Sequence, residues 1–126
     1  MVALESVNLF RELKPQELKA LRAIVREKQF PAGQAIFKQD DPGDGMFVVK
    51  DGLVEICSGT NSSARRVFSQ INPGEIFGEM SVIEHRPRSA SAIAARDTVV
   101  YFIPRAEMLS LVERSPGLAL SLLQEI

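Results

Sequence analysis

One cysteine and one histidine in 126 residues exclude two kinds of site at once. A single thiol forms no internal disulfide, so the fold must rest on its apolar core, and a reducing cytoplasm is the simpler setting. A single histidine falls short of the several that a metal-dependent enzyme of this size usually gathers, so no metal site is expected. Nor does a Cys-His or Ser-His constellation stand at a plausible nucleophile, and no catalytic residue is assigned. Charge of one sign is also missing: fifteen basic residues face sixteen acidic ones, for a net charge of -1. That balance gives no footprint for nucleic acid or anionic lipid, and no helix-turn-helix is recognisable, so direct nucleic-acid binding by this chain is not expected. No apolar run approaches the roughly 18 residues of a membrane span, and the N-terminus lacks a basic region followed by an apolar one. A cytoplasmic chain, neither secreted nor spanning, is the expectation. Asn61-Ser62-Ser63 therefore reads as a polar hairpin loop rather than a glycosylation acceptor.

What is present suits one soluble domain, with 45% of residues hydrophobic and 25% charged. Leu4, Val7, Phe10 and Leu13 recur at helical spacing, and Leu18, Leu21, Ile24 and Val25 do so again, which predicts an N-terminal helical segment in two pieces. The second piece starts near Pro15, although Lys14 is a poor capping residue. From Glu27 the period changes. Pro31-Ala32-Gly33 marks a turn, Gln34 to Lys38 a short strand, and Gln39 to Gly45 a loop rich in turn residues. Met46 to Lys50 and Leu53 to Cys57 flank Asp51-Gly52, a strong hairpin signal, and Cys57 reads as an inert core thiol. Ser58 to Ala64 forms a longer loop before a strand over 65–71. Ala90 to Ala95 and Thr98 to Ile103 are further strands, joined by Arg96-Asp97. Such spacing argues for a β-sandwich or barrel. Pro104 is expected to start a helix, and Ser115-Pro116 supplies a cap and first turn for another. That last helix, over 116–126, is so apolar that it calls for a partner: a second subunit, an effector, or further chain beyond Ile126.

The densest chemistry lies in 77–91. Gly78 opens a short helical run, Glu79 to Ile83, whose free N–H groups favour an anion, and it lets ligand oxygens approach the backbone. Arg88 supplies a cationic fork for phosphate oxygens. Glu79 is the odd member, since a carboxylate beside an anion needs a donor such as a ribose hydroxyl. One arginine suits a phosphodiester better than a triphosphate, for which a Gly-x-x-x-x-Gly-Lys-Ser/Thr loop would be expected and is absent.

Phe77-Gly78-Glu79-Met80-Ser81, followed by Pro87-Arg88-Ser89-Ala90-Ser91, resembles the phosphate-binding cassette of the cyclic nucleotide-binding domain family. The resemblance extends to the Pro-x-Gly turn at 31–33, the Asp-Pro-Gly-Asp loop at 41–44 and the Phe-Val-Val and Gly-x-Val segments around Asp51. It implies a mainly β fold, an eight-stranded jelly-roll barrel with an N-terminal helical segment and C-terminal helices. In that frame 1–26 carries the N-terminal helices, 27–103 the β-roll with the cassette at 77–91, and 104–126 the C-terminal helices.

The same resemblance assigns the ligand and the site. Arg88 would hold the cyclic phosphate, and Glu79 would accept from the ribose 2′-hydroxyl. Gly78, Met80 and Ser81 would contribute mainly backbone, with the Met80 side chain in the core. Phe77 and Ala90 flank the site, and Ser89 would add a hydroxyl and an N–H and leans to cyclic AMP over cyclic GMP. Val82 and Ile83 would couple the cassette to the C-terminal helices. His85 and Arg86 read as solvent-exposed, and one of Arg65 and Arg66 would reach towards the base. The implied function is a regulatory sensor module and not an enzyme. A non-binding interaction domain of the same fold, or the sensor part of a longer transcription regulator, stands as the alternative.

Overall fold

The computed structural model describes residues 3–11, 13–58 and 66–125. The chain enters through two 3₁₀ turns, Leu4–Ser6 and Asn8–Phe10, rather than the first helical piece that the spacing predicts. Val7 between them is extended, with φ -73° and ψ 130°. This break lets Val7, Leu9 and Phe10 all turn inward, each only 1% exposed, which one helical face would not allow. Helix α1, Pro15–Ile24, begins at the proline. The Glu17 carboxylate accepts the Lys14 N–H at 2.8 Å and satisfies one donor at its start.

Eight strands follow among the described residues: β1 Arg26–Phe30, β2 Ala35–Phe37, β3 Gly45–Asp51, β4 Val54–Ser58, β5 Arg66–Ile71, β6 Ile76–Phe77, β7 Ser91–Ala94 and β8 Thr98–Pro104. They form two four-stranded sheets with orders β1-β8-β3-β6 and β2-β7-β4-β5. All pairings are antiparallel. The architecture is the expected eight-stranded jelly roll with flanking helices.

The Asp51-Gly52 hairpin does not form. β3 and β4 lie in different sheets, because both edges of β3 are occupied, one by β8 and the other by β6. Asp51-Gly52 instead turns a corner between the sheets. Gly52 takes φ +102°, and a Cβ there would lie 2.5 Å from Thr98 Oγ1. β4 pairs with β5 in the manner of a hairpin, from Val54 opposite Ile71 to Ser58 opposite Arg66. The expected loop over 59–64, with Asn61-Ser62-Ser63, lies outside the described residues, as do Arg65 and Ile126.

β3 is buried on both faces, and its alternation divides the core. Met46 and Val48 join Leu9, Phe10, Leu21, Met108 and Leu118 under the helices. Phe47 and Val49 join Phe77, Val100 and Phe102 between the sheets. Cys57 is free and fully buried.

Helix α2, Met80–Ile83, is the short turn expected after Gly78. Helix α3 runs Arg105–Arg114, since Pro104 still belongs to β8 and caps rather than starts it. Helix α4, Pro116–Gln124, begins as the sequence predicts, with Ser115 Oγ accepting the Leu118 N–H at 3.3 Å. The Ser115 hydroxyl is also the main cause holding the Glu17 carboxyl of α1 below the usual carboxylate range. Ser115→Ala removes both links, and a loss of about 1 kcal/mol in chemical denaturation is expected. An unchanged midpoint would show that the cap contributes nothing. Leu118 and Leu122 bury one face of α4, while Leu120 and Leu123 stay 62% and 58% exposed.

Candidate ligand site

β6 delivers the cassette. Phe77, 2% exposed, stacks on Phe47 with ring centroids 5.0 Å apart and planes 12° from parallel. The chain then reverses at Gly78, whose φ is +72° and where a Cβ would lie 2.8 Å from Arg88 Nη1. Glycine is needed here both for conformation and for room. Glu79 precedes α2, and Ser81 within it is buried, with its hydroxyl 2.7 Å from Gly45 O and 2.9 Å from Gly78 O.

Arg88 closes the cassette from the other end. Its backbone is clamped to the loop before β3: Arg88 N–H donates to Asp41 O, and Asp40 N–H donates to Arg88 O, both at 2.8 Å. Its side chain is 4% exposed, which rules out a surface salt bridge as its role. Nη1 donates to Gly78 O at 2.9 Å, and Nη2 donates to Asp44 Oδ1 at 3.0 Å and to Gly45 O at 2.7 Å. The guanidinium lies over the Phe37 ring, 4.3 Å from its centroid. Burial pushes its pKa down and Asp44 opposes that, yet an arginine stays charged in any protein. Nε is buried and without a partner.

These groups line a cavity of about 420 Å³. One wall is polar and comes from the cassette; the other is Phe37, Ile56, Ile71 and Ile76 with Ser69 among them. A cavity with an apolar wall and a few placed polar groups has the character of a small-molecule site. Glu79 is half-buried at its edge. Its carboxyl is held above the usual 4.5, chiefly by burial and further by the nearby Glu125, against a hydrogen bond from its own backbone and the weaker pull of Arg88.

All eight residues singled out in the sequence, Phe77, Gly78, Glu79, Met80, Ser81, Arg88, Ser89 and Ala90, border this one cavity. Two are arranged otherwise than expected. Met80 is 43% exposed rather than in the core, because residues two apart on a helix point to opposite sides, and Val82, 1% exposed, takes the core position. Ser81 carries its weight through its hydroxyl, and its N–H points at Gly78 O at 3.4 Å. His85 and Arg86 are exposed, as read, but Arg86 borders the cavity and pairs with Glu84. Arg66 is exposed on β5 with its guanidinium 5.9 Å from the Phe68 ring, and Ser69 borders the cavity from that strand, while Arg65 lies outside the described residues. Asp44 and Gly45, which hold Arg88, were legible only as turn residues. Among the described residues no cluster of His, Cys, Asp and Glu could hold a metal ion, and no helix is long and apolar enough to cross a membrane.

A jelly roll with a buried arginine, a left-handed glycine and a half-apolar cavity between them has the features of a small-molecule-binding module. Residues 27–115 match the cyclic nucleotide-binding domain family, and the chain belongs to that family. It is 34% identical over 111 residues to the cyclic AMP receptor protein of Thermus thermophilus, covering 88% of this chain and 51% of that protein. It is 32% identical over 96 residues to the type II regulatory subunit of cAMP-dependent protein kinase of Drosophila melanogaster, covering 76% of this chain and 25% of the subunit. The crystal structure of the Thermus thermophilus catabolite activator protein superposes with a TM-score of 0.81 at 33% identity, over 93% of this chain and 55% of that one. The chain thus spans about half the length, or less, of these relatives.

Proposed function

We propose that this chain binds cyclic AMP and passes its occupancy to α3 and α4. The observation that carries the reading is Arg88: a guanidinium 5% exposed in the wall of the cavity, with its Nε–H unpartnered. Burying a cationic donor unmet is costly, and an anionic oxygen brought against it would relieve that cost. The expected two-pronged grip on phosphate requires more, since Nη2 is already held by Asp44 and Gly45. Glu79 would accept from a ribose hydroxyl, and Ile56, Ile71 and Phe37 would pack the base. The route to the helices runs through Arg105 at the start of α3. Its Nε–H donates to Ser81 O at 2.8 Å and its backbone N–H to Asp44 O at 2.9 Å, so it touches both the cassette and the loop that holds Arg88. The ligand biases α3 and α4 as far as its affinity differs between their arrangements. Ser89 borders the cavity, and by the family resemblance a serine there leans to cyclic AMP over cyclic GMP.

Titration calorimetry with both nucleotides tests the reading, with cyclic AMP expected to bind more tightly. No heat with either at high micromolar concentration would sink it. Glu79→Gln adds a check on the ribose contact. An ionised Glu79 is the better acceptor, so binding favours loss of its proton. Wild-type affinity should therefore be greatest above the raised pKa of the free protein and fall as the pH drops through it. In Glu79→Gln affinity should fall about tenfold at neutral pH, and this component of the pH dependence should vanish. A variant that keeps the wild-type profile would remove Glu79 from the contact.

A further inference from the structure

We infer that Arg86, held by Glu84 at the rim of the cavity, is a second cation for the ligand phosphate, and that Glu84 competes with the ligand for it; this rests on the cyclic nucleotide reading above. The charges around the cavity favour a second cation. Glu79, Glu84, Arg86 and Arg88 border it, and Asp44 adjoins it through its ion pair with Arg88. Three carboxylates therefore face two guanidiniums, and an entering phosphodiester adds a further negative charge. Arg88 alone cannot offset this, because Asp44 Oδ1 already sits 3.0 Å from its Nη2 in a pair whose arginine side is 4% exposed.

Arg86 is the opposite case. Its side chain is 78% exposed, and its Nε lies 3.1 Å from Glu84 Oε2 on a side chain itself 48% exposed. An ion pair so open to water contributes little and is given up at small cost, so a phosphate can replace Glu84 as its partner. The backbone beneath is fixed. Arg86 N–H donates to Glu84 O at 2.7 Å. The Arg86 carbonyl occupies space that Gly43 leaves open, since a Cβ at Gly43 would lie 2.4 Å from that oxygen. Pro87 follows and limits the backbone of Arg86 further. The guanidinium thus swings from an anchored point at the cavity rim, and only its side-chain partner changes.

Calorimetric titration of cyclic AMP into wild type, Arg86→Gln, Glu84→Gln and the double variant, at low salt and at high salt, tests this. At low salt Arg86→Gln should weaken binding about three- to five-fold and Glu84→Gln should tighten it about two-fold. In the double variant the gain from Glu84→Gln should disappear, because the competition has no object left. At ~1 M salt, where the screening length shrinks to ~3 Å, the difference between Arg86→Gln and wild type should fall below about two-fold. An Arg86→Gln variant that binds like wild type at low salt, or a loss that persists undiminished in high salt, overturns the rim contact and leaves the binding reading intact. A wild-type protein that binds no nucleotide overturns both.

Discussion

Arg88→Ala is expected to weaken cyclic AMP binding by at least about a hundredfold while leaving a folded protein. Charge-assisted hydrogen bonds are worth roughly 1.5–3 kcal/mol each, so losing two of them corresponds to about two to four orders of magnitude in affinity. The fold should survive for a specific reason. The carbonyls that Arg88 serves, Gly45 O and Gly78 O, both lie within hydrogen-bond reach of the Ser81 hydroxyl. Gly78 O also faces the Ser81 N–H. Asp44, the remaining partner, has a side chain 66% exposed and returns to water without a buried charge being stranded. Parallel calorimetry and thermal melting separate the two effects. A variant that melts like wild type and binds like wild type would remove Arg88 from the phosphate; one that does not fold would show that its structural bonds outweigh these substitutes. Arg88→Lys then serves as the second variant, since it keeps the charge and loses the planar fork.

Gly45→Ala should cause a large loss of stability. A Cβ at this position would lie 2.3 Å from Ile103 O and 2.7 Å from the Phe102 ring. Neither neighbour has room to give. Ile103 O belongs to the backbone of β8, paired with β3 along its length. The Phe102 ring is packed 4.9 Å from Phe47 and carries Lys28 Nζ at 4.3 Å over its face. Overpacking of this kind costs about 1–3 kcal/mol, occasionally more, and a fall in melting temperature of roughly 10 °C is expected. Gly117→Ala is the contrast. Nothing lies within 4 Å of a Cβ there, and the residue is helical, so the substitution should stabilise by about 0.5–1 kcal/mol. Equal melting temperatures for the two variants would contradict the close approach of β3 and β8.

The polar half of the site was legible in the sequence because it is local. Gly78, Glu79 and Arg88 fall within one stretch, and a glycine that bares its backbone and a phosphate-type fork can be recognised without knowing what surrounds them. The apolar half was not legible. Ile56, Ser69 and Ile71 come from β4 and β5, and their inward direction depends on a register set by sheet pairing. The Asp51-Gly52 hairpin failed for a related reason. An Asp-Gly pair signals that the chain reverses, but not which strand edges remain free to accept it. Asp44 was hidden in another way: its partner is forty-four residues along the chain, and nothing in a turn sequence announces a tether to a distant arginine. Met80 shows the limit of composition, since a methionine fills a gap only if the backbone turns it towards one.

The strand orders of the two sheets carry a consequence for how this site comes into being. β3 completes its sheet with β8, and the whole cassette lies between them in sequence. Loops of that length must be closed, at an entropic cost, before the contacts that enclose Arg88 exist. A partly assembled chain therefore offers a nucleotide no binding site. Ligand binding selects the finished barrel, and by mass action its free energy is added to the stability of that state alone.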